Sequence, residues 1–160
     1  MANSHFIRPQ GAVDNSITVR LGAGTGSANN IDSKENGKIV KLIAESRYGL
    51  AAQGDPIEAV ITSVELATSG GYSIGGVQTQ GIMWATADGL QATPGVGVIA
   101  VGDYVVAGTA TAKGTALTSY AKVCTATAQT LAFNMWRVVS LGTAGTGAVG
   151  TDIVIMSTTK

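Results

Sequence analysis

Three features of the sequence predict an all-β chain, folded as a small β-barrel or β-sandwich of about nine short strands with Gly-rich turns and an extended N-terminal arm. Short runs rich in Val, Ile and Thr recur along the chain, several with apolar residues at every second position. Gly-rich clusters, drawing on 22 glycines, punctuate those runs. Amphipathic helical periodicity is nearly absent, and only 46–52 and 126–132 offer one or two helical turns.

Residues 1–15 place His5, Phe6, Ile7 and Arg8 among small polar residues with no period of either kind, and read as an extended arm. Residues 16–21 alternate, with Ile17, Val19 and Leu21 on one face and Ser16, Thr18 and Arg20 on the other, the pattern of a half-buried strand. The stretch 22–36 reads as a flexible polar linker, so the chain divides into 1–36 (arm, one strand and linker) and 37–160 (the barrel). The tethered arm and strand either pair with a neighbouring subunit or the capsid, or fold back on the chain's own sheet.

Two β-rich runs follow, 38–43 and 57–66, joined by a polar connector that ends in Gly54, Asp55 and Pro56. Proline has a fixed φ and no N–H, so the second run starts at Ile57. That run is apolar on both faces: Ile57, Ala59 and Ile61 alternate with Val60, Val64 and Leu66. A two-sided apolar strand needs cover on both sides, from a closed barrel, a second sheet or an oligomer interface. Further strands are expected at 72–79, 81–87, 96–107 with an interruption at Gly102 and Asp103, 120–124, 133–141 and 152–156. Residues 88–94 read as a turn, 109–118 as a surface loop or short edge hairpin, and 142–150 as a Gly-rich loop.

Composition narrows the function classes. Ten basic and ten acidic residues cancel, so nothing suggests an electrostatic grip on nucleic acid or an anionic membrane. Only 12% of residues are charged, against about 25% in an ordinary soluble domain. A monomer needs charge to keep its surface hydrated, so the deficit points to surface covered by other subunits, the alternative being a neutral monomer coated in Thr and Ser. The single Cys124 has no intrachain partner and reads as a small buried residue, consistent with folding in a reducing cytoplasm. Residues 1–10 lack the pattern of a signal peptide, and no segment reaches the roughly 18 apolar residues of a membrane helix.

Catalytic constellations are sparse. The one His lies in the arm and reads as a solvated or interface residue, and metal ligation or a nucleophilic triad would have to recruit it. The nearest candidates for paired carboxylate work are Asp55 with Glu58, or Glu45 near Arg47; a turn explains Asp55 and a solvated connector explains Glu45. Residues 95–100 fit a GxGxxA pattern, but β-rich sequence follows where a phosphate-binding helix would be needed. No catalytic, cofactor or metal site is assigned, and the chain is not expected to be an enzyme. Trp84 and Trp136 are placed first in the core, with sugar stacking or an interface anchor as the alternatives.

Four stretches carry a resemblance. GKIVKL at 37–42, SRYGLAAQGDPIE at 46–58, SGGYSIGGVQTQG at 69–81 and RVVSLGTAGTGAVGTDIVIM at 137–156 are similar to the capsid decoration (cement) proteins of tailed bacteriophages. The resemblance implies a small β-barrel, often trimeric, that binds the outside of a phage head and reinforces it. Its partners would be the major capsid protein and further copies of itself, and its location the outer capsid surface after synthesis in the host cytoplasm. On that reading the arm and first strand, through His5, Phe6, Ile7, Arg8, Ile17 and Val19, are the expected contacts with the capsid or with a neighbouring subunit. The alternative is a carbohydrate-binding or adhesin-type β module displayed on a virion or cell.

Overall fold

The computed structural model describes residues 16–22, 30–65, 73–127 and 136–158. Among them the chain is all-β, with eleven strands and one 3-10 turn, and no helix is long and apolar enough to cross a membrane.

The first half forms a closed five-stranded barrel. Its strands are β1 (Ser16–Leu21), β2 (Ile39–Ala44), β3 (Arg47–Leu50), β4 (Ala59–Glu65) and β5 (Ser73–Gln78), in the order β1-β3-β2-β4-β5. β1 runs antiparallel to β5 along its whole length and parallel to β3. Of the two placements open to the first strand, the structure therefore shows the fold back onto its own sheet. Val19, Leu21, Val40, Ala59, Ile61 and Val77 fill the interior with Ile31. A Cβ on Gly75 would run into the Ser63 carbonyl and the Leu21 side chain, so β4, β5 and β1 approach closely only because that residue is glycine.

The second half forms a sheet in the order β10-β11-β6-β9-β8, built from β6 (Ile82–Leu90), β8 (Val105–Ala107), β9 (Lys122–Thr125), β10 (Trp136–Ser140) and β11 (Asp152–Ser157). A short strand β7 (Thr93–Pro94) pairs with the end of β6. The outer strands of this sheet do not end in open edges. The Gly102 N–H donates to Val138 O and the Val138 N–H to Asp103 O, both at 2.9 Å, so residues 102–103 join the β8 side to β10 and satisfy backbone groups that would otherwise invite pairing.

The two sheets share a core. Ile39, Ala51 and Ile57 from the first half pack with Ala85, Ile99, Val105, Trp136, Val138, Ile153 and Ile155 from the second. This explains β4: Ile61 points into the barrel while Val60 packs against the second sheet's core. Over Ala59–Ile61 the two-sided pattern is covered on both sides within one chain, whereas past the bulge between Ile61 and Ser63 Val64 packs on the barrel core.

Several expected elements are corrected. Residues 46–52 hold strand β3 instead of a helical turn or plain connector, because the Glu45–Ser46 turn, with Ser46 at φ 51°, folds β3 back onto β2. Strand β4 begins at Ala59 and not Ile57. Residues 88–90, expected as a turn, complete β6 and form a hairpin with β7. Residues 96–101 make only isolated bridges, Gly89 to Val96 and Val98 to Ala148. The polar linker is in part structured: Ser33–Glu35 is a 3-10 turn in which Asp32 and Glu35 cap each other's backbone N–H groups. Ala126 is not helical, and residues 128–132 lie outside the described residues, as do the arm and Leu66.

Candidate functional site

The expected contact residues separate. His5, Phe6, Ile7 and Arg8 lie outside the described residues. Val19 is enclosed in the barrel core, whereas Ile17, two residues earlier on the same strand, remains 44% exposed.

A larger apolar surface lies elsewhere, on the segment between β7 and β8. Gly95 and Gly97 take positive φ values of 79° and 99°, which lets the chain turn out from β7 and cross the end of the second sheet. Ile99 then points inward and is fully buried, its N–H donating to Gly147 O at 2.9 Å. A Cβ on Gly147 would collide with the Ile99 carbonyl, so this crossing also depends on glycine. The inward turn of Ile99 throws its neighbours outward: Val96, Val98 and Val101 are 62%, 63% and 57% exposed. Leu90 and Tyr104 extend the surface, and with Val98, Thr125 and Ala126 they line a depression of about 410 Å³. Asp103 is the single charge between residues 90 and 104, and its carboxylate already accepts from the Ala100 N–H at 2.8 Å. Covering this surface would cost almost no charge desolvation.

A second feature ties the halves together. Glu35 and Lys38, both buried, form an ion pair at 3.5 Å. Lys38 Nζ also donates to Ala112 O at 2.9 Å, while Glu35 accepts from the Gly114 N–H and, through its other oxygen, from the Asp32 N–H. The loop 109–117 is thus held by a buried pair from the barrel side. Its start is held by Asp88, which accepts from the Thr109 N–H at 2.7 Å and pairs with Lys122 at 3.5 Å. Burial would raise the Asp88 pKa, but the hydrogen bonds from Thr109 and the Lys122 charge outweigh it and hold the carboxyl below its usual range. Beside it, burial first and the Asp88 charge second push the Cys124 thiol up to about 12, so it stays protonated and unreactive. Sequence reading missed Glu35, Lys38 and Asp88. The Asp32-Ser-Lys-Glu35 spacing was the available signal for the first of these.

The tryptophans divide. Trp136 is buried in the shared core, but Trp84 is 39% exposed and stacks on Tyr120, itself 43% exposed, with ring centroids 5.8 Å apart and planes 21° apart. The core assignment holds for Trp136 and is corrected for Trp84, because the large residue sits on the outward face of β6 at the mouth of a groove.

The acids singled out from sequence do not form a pair with free carboxylates. Asp55 accepts from the Ala52 N–H and pairs with Lys41, each at 2.7 Å, and Glu58 accepts from the Leu42 N–H at 2.6 Å. Among the described residues no three of His, Cys, Asp and Glu converge as metal ligands would. Comparison of the chain with family models, with curated proteins and with solved structures gives no match in any of the three.

Proposed function

We propose that this chain is a structural decoration protein of a phage head, binding the outer capsid surface as a homotrimer across junctions between capsomers. The observation that carries the reading is the apolar surface around Val96, Val98 and Val101, nearly free of charge and set on a glycine-dependent crossing. A surface of that kind favours a protein partner over water. The low overall charge and the similarity of residues 37–81 and 137–156 to cement proteins support the same reading.

The mechanism is mechanical and needs no cofactor. Each copy adds contacts between neighbouring capsid subunits, and packaged DNA must break these before the shell opens. Because the protein binds the assembled shell and not free subunits, binding stabilises assembly by linkage. Three subunits acting together make modest affinity per site sufficient. On this reading His5, Phe6, Ile7 and Arg8, with Ile17, are further contacts to a neighbour.

Co-sedimentation with mature, expanded heads, using unexpanded shells as the control, tests the proposal. Saturable binding to expanded heads at a fixed ratio to the major capsid protein is the expected result. Failure to bind at micromolar protein would overturn it.

A further inference from the structure

We infer that the groove between the Trp84–Tyr120 pair and the 3-10 turn at Ser33–Glu35 is a saccharide-binding site, taking a pyranose ring against the aromatic pair with its hydroxyls on a polar rim. This inference is independent of the capsid reading.

The groove has a volume of about 420 Å³, within the range of sites that hold small ligands. One wall is aromatic, from Trp84 and Tyr120. Ser33, Lys34 and Asn36 contribute polar lining, and Val60, Met83 and Leu117 apolar lining. The aromatic and polar linings are set before any ligand arrives. Trp84 sits in mid-β6, paired with Val154 of β11, and a Cβ on Gly142 would come within 3.2 Å of its ring. Tyr120 follows Ser119, whose hydroxyl donates to Asp152 at 3.1 Å. The backbone that carries Ser33, Lys34 and Asn36 is fixed by the reciprocal capping of Asp32 and Glu35. Pre-set walls lower the entropy cost of binding.

The mixture of surfaces selects the ligand class. A pyranose has an apolar C–H face that packs on an aromatic ring and an equatorial belt of hydroxyls that bond to side chains beside it. An apolar peptide side chain would cover the rings but leave Ser33, Asn36 and the Tyr120 hydroxyl desolvated without partners. A nucleic-acid strand would stack, yet Lys34 is the single cation lining the groove, too little for a phosphate backbone.

The chain has two tryptophans, and burial of Trp136 makes Trp84 the reporter. Titration of the native protein, without capsids, with cellohexaose, maltohexaose, laminarihexaose and chitohexaose should give saturable quenching with at least one, at a Kd on the order of 1 mM. Tyr120→Ala should weaken that binding about tenfold while the thermal midpoint holds, and Asn36→Ala should weaken it by a smaller factor. Trp84→Phe should abolish the quenching. Silence with all four sugars, both in emission and in calorimetry, overturns the proposal, as does quenching that survives Trp84→Phe. Since no capsid is present, failure here leaves the decoration reading standing, and failure to bind capsids leaves this one standing.

Discussion

The barrel and the second sheet are built from the same kinds of short strand, yet they treat their surfaces differently. The barrel closes strand to strand, fills its interior with Val, Leu and Ile, and among the described residues exposes only Ile17, Leu42 and Ile43 as large apolar side chains. The second half is joined by backbone bonds from a loop and exposes Trp84, Leu90, Val96, Val98, Val101, Tyr104, Tyr120 and Val149. A closed barrel has no backbone edge to satisfy and needs nothing further. The half completed by loops carries the larger exposed apolar surface, so on the proposed reading the first half is scaffold and the second is contact.

The severest way to break the comparison is to empty the core of one half. Trp136→Ala should cost about 3–5 kcal/mol, and Leu21→Ala in the barrel about 3 kcal/mol, both read as shifts in urea unfolding. Because Ile39, Ala51 and Ile57 belong to the core that holds Trp136, both variants should unfold in one transition by circular dichroism and by tryptophan emission. Two separated transitions in Leu21→Ala would show that the halves are independent units and that the contrast is between domains.

Removing the tie between the halves comes next. Lys38→Met leaves Glu35 buried without its cation and should cost about 3 kcal/mol. The double variant Glu35→Gln with Lys38→Met should recover part of that loss. Hydrogen exchange at the Gly114 amide should accelerate in the single variant, since loss of the Lys38 bond to Ala112 loosens the loop that presents this amide to Glu35. A loss no larger than that of Lys113→Met would show that the pair does not anchor the loop.

How far the sequence showed these differences depends on the range of the interaction. The barrel strands β1, β2 and β4 were visible because alternation and Pro56 are local signals, and so was the need for cover on both faces of β4. Strand β3 was not, because Arg47–Leu50 is short and includes Gly49, and its strand character comes from pairing with β1 and β2 on either side. The exposed valines at 96–101 carry the same local pattern as a core strand. What turns them outward is Gly147, about fifty residues away in sequence, receiving Ile99. The Lys38 site was hidden for the same reason: its acceptors at Thr111 and Ala112 lie in a loop with no apolar signal of its own. Trp84 and Trp136 look alike in composition, and only the groove beside β6 separates them.

Acid should weaken the whole fold through Asp88 in the second half. The folded pKa of Asp88 is depressed, so its contribution to stability is present above the unfolded value of about 4 and is lost as pH falls through the lower folded value. The urea midpoint of the native chain should therefore fall below about pH 4, and Asp88→Asn should flatten that part of the profile while already being less stable at neutral pH. An unchanged acid slope in Asp88→Asn would place the acid sensitivity elsewhere.

The smallest effect on stability should carry the largest effect on association. Val98 and Val101 are more than half exposed, so Val98→Asp with Val101→Asp should change the unfolding free energy by no more than about 0.5 kcal/mol. If the second half is the contact surface, two charges there must be desolvated on docking, and self-association seen by light scattering should be lost together with capsid binding. Leu42→Asp, the matched change on the barrel, should leave both intact. Should the valine pair associate like the native chain while Leu42→Asp does not, the roles of the two halves would be reversed, and the barrel would be the surface that neighbouring subunits cover.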